Sequence, residues 1–281
     1  MSIKINEIVV STTGVDREFV ELFGEIGTDL TGLSILEIAP GGTIGDVIDL
    51  TGRIGVNAQH LITSPAAEDA LGVTGNQQIA DNTFTNGSRT YLLVEGFTGA
   101  SGDDIDLNDD GVIDQVRWSE ILDGVAVIDN DSPLIYATNI VGPDGSFLAP
   151  GGYRDPDGTG TFVMHDFYDT ALYTPTAGTD VVINEIVVST TGTDTEFAEL
   201  VALPGTDLSG YALLEIEPGG EIDTVIQLTG RAGGGNGAYL LASPTAEAAL
   251  GVTADQAIAD NSFTNGSRTY LLVEGFSGAS G

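Results

Sequence analysis

The chain has 281 residues, no cysteine, and 42 acidic against 8 basic side chains, for a formal charge of −34. Such a field repels phosphates and anionic lipids, so neither nucleic acid nor a membrane is an expected partner, while cations are attracted, divalent ones most strongly. Without cysteine there is no disulfide, thiolate metal site or thiol nucleophile, and no segment has the length of an apolar membrane span, so no membrane insertion is expected.

In chain order, residues 3–11, 18–23, 33–38, 47–50, 59–63 and 89–95 are short runs rich in Ile, Val, Leu, Phe and Tyr. Each is a predicted strand, because branched and aromatic side chains suit a pleated, half-buried surface. Clusters of Gly, Asp, Asn and Thr separate them at the spacing of a sandwich. Residues 65–71 read instead as one short helix, opened by Pro65 and closed by Gly72. Two further strands are expected at residues 112–118 and 125–129, the first pairing with residues 89–95 across an acidic loop to make a long hairpin. The fold class is all-β.

The chain then repeats itself. Ile5-Asn6-Glu7-Ile8-Val9-Val10-Ser11-Thr12-Thr13-Gly14 recurs unchanged from Ile183 to Gly192, an offset of 178, and the stretch from Asn86 to Phe97 recurs from Asn265 to Phe276, an offset of 179. A period this long means whole domains in series rather than solenoid turns. We expect a complete module over residues 1–176 and a second copy over 181–281, incomplete because Gly281 aligns with Gly102 and residues 103–178 have no counterpart. The proline- and glycine-bearing stretch 173–180 is the expected linker. The strand at residues 268–274 would then lack its hairpin partner and expose unpaired backbone. That implies either a fragment of a longer repeat polymer or completion by another chain.

One segment carries metal chemistry. Asp106-Leu107-Asn108-Asp109-Asp110-Gly111-Val112-Ile113-Asp114 follows the D-x-N-x-D-G-x-x-D spacing of calcium loops, in which alternate oxygen side chains converge and a glycine allows the sharp turn. The expected ligands are Asp104, Asp106, Asn108, Asp110, the Val112 carbonyl and Asp114. Arg117 stands where an EF-hand needs a bidentate acid, so a calcium loop of another kind, between strands, is expected, with Asp104 or Glu120 as the added ligand. A plain acidic turn is the competing reading, since Asp, Asn and Gly are ordinary turn residues. Asp155-Pro156-Asp157-Gly158-Thr159-Gly160 and Asp129-Asn130-Asp131 are lesser candidates.

Other chemistry finds little support. His60 and His165 are the two histidines, each without an evident partner, and no serine sits in a nucleophile elbow or triad pattern. Glu7, Glu18 and Glu21 could approach one another as paired acids, but alternation along strands accounts for them. Trp118 is expected in the core. Arg53, Arg89, Arg231 and Arg268 are expected to serve as structural partners of carboxylates.

Taken together, Ile5-Asn6-Glu7-Ile8, Glu18-Phe19-Val20-Glu21-Leu22, Asp29-Leu30-Thr31-Gly32-Leu33-Ser34-Ile35 and Asn86-Gly87-Ser88-Arg89-Thr90-Tyr91-Leu92 resemble the bacterial lamin-tail domain, and Asp207-Leu208-Ser209-Gly210-Tyr211-Ala212-Leu213 repeats the third of these motifs. The resemblance covers most of residues 1–130 and 181–281. It implies tandem immunoglobulin-like β-sandwiches, the second incomplete, without catalytic residues, in large secreted proteins. The expected function is therefore a non-catalytic, calcium-stabilised structural or adhesive repeat module at the cell surface or outside it, with fibre assembly as an extension. Its expected partners are calcium ions and further copies of itself or downstream domains, and no N-terminal signal is visible. The alternative is the accessory region of a secreted nuclease or phosphatase whose catalytic domain lies elsewhere.

Overall fold

Alternating apolar runs closed by glycine and asparagine turns become strands throughout. The computed structural model describes residues 3–131, 133–167, 173–233 and 236–280, and the chain divides into two compact units, Met1–Thr179 and Asp180–Gly281. Among the described residues it is predominantly β, with two short helices.

In the first unit the strands are β1 (Lys4–Val9), β2 (Phe19–Phe23), β3 (Leu33–Ile38), β4 (Ile44–Asp49), β5 (Gln59–Thr63), β6 (Gln77–Gln78), β7 (Arg89–Glu95), β8 (Glu120–Val127), β9 (Asn139–Val141), β10 (Gly151–Asp155) and β11 (Thr161–Met164). One sheet runs β11-β10-β1-β2-β5-β6 and the other β4-β3-β7-β8-β9. Between them lies a sandwich-like core containing Ile5, Ile8, Val20, Leu22, Ile35, Tyr91, Leu93 and Val125, all at most 1% exposed. Ladder pairing satisfies the backbone groups that this burial removes from water.

The helix α1 (Pro65–Leu71) shows why its short sequence suffices. The Ser64 side chain accepts from the Ala67 amide, Pro65 supplies a preset φ in the first turn, and Gly72 closes the helix at φ 68°.

The second unit contains β12 (Val181–Val187), β13 (Phe197–Ala202), β14 (Tyr211–Ile216), β15 (Ile222–Gln227), β16 (Ala238–Ala242), α2 (Pro244–Leu250), β17 (Gln256–Ala257) and β18 (Thr269–Glu274). Its sheets run β12-β13-β16-β17 and β15-β14-β18, the order of β1-β2-β5-β6 and β4-β3-β7 in the first unit. What differs is the flanks. β1 lies between β10 and β2, and β7 between β3 and β8, whereas among the described residues β12 pairs only with β13 and β18 only with β14.

Two expectations need correction. The long hairpin exists, but the strand opposite β7 is β8, beginning at Glu120, and residues 112–118 form no strand. Val112 and Val116 are more than 60% exposed there, so these apolar residues do not mark a strand interior. Second, residues 173–179 are not a free linker. Tyr173 is buried, the Asn76 side chain bonds Gly178 through both its polar atoms, and the Thr179 amide donates to Asn57 Oδ1 at 3.0 Å. Of the expected strand at residues 268–274, Thr269–Glu274 form β18, which among the described residues pairs with β14 alone.

Candidate functional site

The acidic loop starts from an apolar underside. Ile105, Trp118 and the half-buried Ile113 pack with Leu36, Ile38, Leu92 and Val94 on the outer face of the β4-β3-β7-β8 sheet, so the loop is a lid over that face. Hydrogen bonds from Ile44 to the Asp103 carbonyl, 2.8 Å, and from Ile105 to the Gly42 carbonyl, 3.0 Å, seat the lid against the β3–β4 turn. Gly42 has φ +77°, and a Cβ there would fall 2.6 Å from Asp106 Cβ. Only a glycine fits that approach.

Asp106 is the centre of the loop. Its side chain is buried and accepts from the amides of Asp110 (3.2 Å) and Gly111 (2.8 Å) and from the Tyr136 hydroxyl (2.9 Å). Burial pushes the carboxyl up, but these donors outweigh it and hold the group below its ordinary value. Burial and the Asp106 carboxylate in turn push the Tyr136 phenol up.

The other expected ligands are arranged around it. Asp104 accepts from the Asp106 amide at 3.0 Å, Asp110 from the Val112 amide at 2.9 Å, and Asp114 from the Leu107 amide at 3.1 Å, while Asn108 donates to Asp110 at 3.2 Å. The donors are hard oxygens of the type calcium takes. As placed, each carboxylate is turned to a backbone amide, and among the described residues no three His, Cys, Asp or Glu side chains are positioned to share one ion.

Of the three acids that the sequence reading let approach one another, Glu7 and Glu21 do meet, in a second polar cluster whose other members sequence reasoning missed. Glu7 on β1 and Glu21 on β2 are cross-strand partners, and both are buried. His165 Nε2 lies 2.9 Å from Glu7 Oε1 with its ring sealed from solvent. The Thr174 amide (3.2 Å) and hydroxyl (3.1 Å) also donate to Glu7, and the Thr176 amide donates to Glu21 at 2.7 Å. Asn6 donates to Glu21 at 2.6 Å and to Asp157 at 3.1 Å, and its own oxygen accepts from the Gly158 amide at 2.7 Å. Burial pushes the Glu21 carboxyl up to about 7, with Glu7 and Asp157 adding to the rise against the lowering by Asn6 and Thr176. The sequence signal was slight: the Asn-Glu pair on one strand and a lone Glu two residues after Phe19 on the next.

Glu18 is not part of this cluster. It accepts from the Thr83 and Phe84 amides at 2.8 and 2.9 Å, and burial pushes it up to about 7. His60 is also a core side chain, with Nδ1 3.1 Å from the Arg53 carbonyl and its pKa lowered by burial. Asp157, in the turn between β10 and β11, serves Asn6. The Ser88 hydroxyl, with one proton to donate, lies 2.9 Å from both Asp129 and Asp131, and Asp129 lines a groove of about 640 Å³ with Asn86, Asp144 and Phe147. The arginines hold carboxylates: Arg53 with Asp29 (3.8 Å), Arg89 with Glu37 (3.1 Å), Arg231 with Asp207 (3.0 Å) and Arg268 with Glu215 (3.1 Å).

The same residues in the second unit sit differently. Asn184 still donates to Glu199 at 2.6 Å, as Asn6 does to Glu21, but Asn184 and Glu185 are exposed and Glu199 is half-buried. Comparison with protein-family models, with curated proteins and with solved structures returns no match to the chain.

Proposed function

We propose that this chain is a non-catalytic structural or adhesive module of a secreted or cell-surface protein, built from tandem immunoglobulin-like sandwiches of the lamin-tail type and stabilised by calcium. The observation that carries the reading is the lid. The segment with calcium-loop spacing supplies Ile113, and the residues flanking it Ile105 and Trp118, to the outer face of the sheet, so an ion held there would clamp a packing element. In support of a structural role, Glu7, Glu21 and His165 are at most 1% exposed, and the two carboxylates accept hydrogen bonds from Thr174, Thr176 and Asn6. Asp104, Asp106, Asn108, Asp110 and Asp114, with the Val112 carbonyl, would hold the ion, which would neutralise their mutual repulsion.

The test is thermal unfolding followed at Trp118, the single tryptophan, with calcium and with a chelator. An ion bound only to the folded state stabilises by RT ln(1 + [L]/Kd), about 2.7 kcal/mol at a hundredfold excess over Kd. A raised midpoint in calcium, abolished by Asp110→Ala with Asp114→Ala, is expected. An unchanged midpoint removes calcium from the account.

A further inference from the structure

The chain contains its own control experiment on edge completion. β1 and the matching part of β12 are the same sequence, Ile-Asn-Glu-Ile-Val, and β7 and β18 share Thr-Tyr-Leu-Leu-Val-Glu. In the first unit these strands are sealed: Ile5, Ile8, Leu93 and Val94 are fully buried and Leu92 is 1% exposed. In the second, Ile183, Ile186, Leu272 and Val273 are half-buried, and Leu271 is 45% exposed. Identical residues cannot differ through propensity. The difference lies in what covers them.

What covers the first unit's strands is a defined segment. β8 supplies the second edge of β7, from Arg89 opposite Val127 to Glu95 opposite Glu120. β10 supplies the second edge of β1. Arg154 on β10 and Asp123 on β8 form a buried ion pair at 2.9 Å, with the Asp123 carboxylate accepting from the Ile5 amide and the Arg154 guanidinium donating to the Ile5 carbonyl. His165, Thr174 and Thr176 then close over Glu7 and Glu21. In the second unit the cross-strand acids Glu185 and Glu199 lie on the open face, Glu199 accepting from Asn184 at 2.6 Å, with none of the histidine and threonine cover that their counterparts Glu7 and Glu21 have.

We propose that the free edges of β12 and β18, with the Glu185–Glu199 pair, form a docking surface for one occupant. That occupant is a polypeptide segment of the kind residues 103–179 provide to the first unit: a strand beside β18, a strand beside β12, and a histidine with threonine donors over the acid pair. Open edges recruit strands through main-chain hydrogen bonds, and side-chain pockets and charge fix which strand binds. The proposal rests on the structural-module reading but not on calcium.

The experiment appends a second copy of residues 103–179 directly after Gly281, the position that aligns with Gly102, and follows amide hydrogen exchange in Val181–Val187 and Thr269–Glu274. Exchange on both strands is expected to slow by about a hundredfold or more, since amides that open locally become part of a packed unit. Unchanged exchange overturns the proposal. In a second variant the appended copy carries Arg154→Ala and His165→Ala. Protection of β12 is expected to fall at least tenfold below that of the unaltered copy, while β18 stays protected, and full protection of β12 would overturn recognition by charge. If the chain without the appended segment gains the same protection as its concentration rises, the occupant is a second copy and the proposal fails. The calcium reading stands or falls separately, on the chelator melt of the unextended chain.

Discussion

His165 Nε2 stands 2.9 Å from Glu7 Oε1, with both side chains withdrawn from water. The same glutamate in the second unit, Glu185, is exposed. Removing one partner of a buried polar pair leaves the other without compensation, at about 1–3 kcal/mol, whereas an exposed substitution usually stays within about 0.5 kcal/mol. Glu7→Ala should therefore lower the urea midpoint read at Trp118 sharply. Glu185→Ala should leave the backbone unfolding transitions where they are. Equal effects from the two would mean that the first unit's cluster is not what holds residues 165–176 in place.

A second prediction concerns pH. Burial raises Glu18 and Glu21 from 4.5 to about 7 in the folded chain. A carboxyl with a raised folded pKa holds its proton more tightly in the native state, so its contribution is complete below pH 4.5 and is lost as the pH climbs through about 7. Asp106 and Asp29, held below their ordinary value, have the opposite sign but act near and below pH 3.8, and His60, lowered from 6.5 by burial, gains stability as the pH rises toward 6.5 and offsets part of the loss from the two glutamates. The first unit should thus lose on the order of 1–3 kcal/mol as the pH rises from about 5 to about 8. Urea midpoints across that range should fall, and Glu21→Gln should make the slope shallower. A midpoint that climbs over the same range would contradict the assignment.

How much of this was legible in the sequence depends on the range of the interaction. β3, β5, β7 and α1 fall where the pattern puts them, because alternation, Ser64, Pro65 and Gly72 act within a few residues of one another. β10 and β11 were missed. Gly151-Gly152-Tyr153-Arg154 has no apolar run, and it is a strand because β1 offers an edge and Asp123 holds Arg154. Residues 112–118 misled in the other direction, since their apolar content reflects Ile113 and Trp118 turned onto the sheet as a lid. The Glu7–Glu21–His165 cluster joins residues up to 158 positions apart, a distance over which one sequence carries no pairing signal.

Gly42 and Gly220 occupy the same place in the two copies, at φ +77° and +89°. A Cβ on Gly42 meets Asp106 Cβ at 2.6 Å, while one on Gly220 meets nothing within 4 Å. Gly220→Ala should cost only the left-handed backbone strain, about 1–2 kcal/mol. Gly42→Ala should cost that much again or more by displacing Asp106 and lifting the lid, with a red-shifted Trp118 emission in the folded state as its signature. Equal costs without a spectral shift would argue that the loop yields freely.

Leu92 and Leu271 are the last matched pair, 1% and 45% exposed at the same position of β7 and β18. Leu92 packs beneath the lid with Leu36, Val94, Ile105 and Trp118, so Leu92→Ala removes buried methyl groups and leaves a cavity, a change worth about 2–5 kcal/mol. Leu271 lacks that cover, and its truncation removes surface that is already half in water. Leu271→Ala should therefore cost well under about 1 kcal/mol in the unextended chain. The asymmetry has a further consequence. When the outer face of β18 is covered by the appended segment, the cost of Leu271→Ala should climb toward that of Leu92→Ala, because the same side chain then enters the same packing. Hydrogen-exchange stabilities of Thr269–Glu274 in the single variant, with and without the segment, measure both terms. A penalty that does not change on extension would show that the segment leaves this face open.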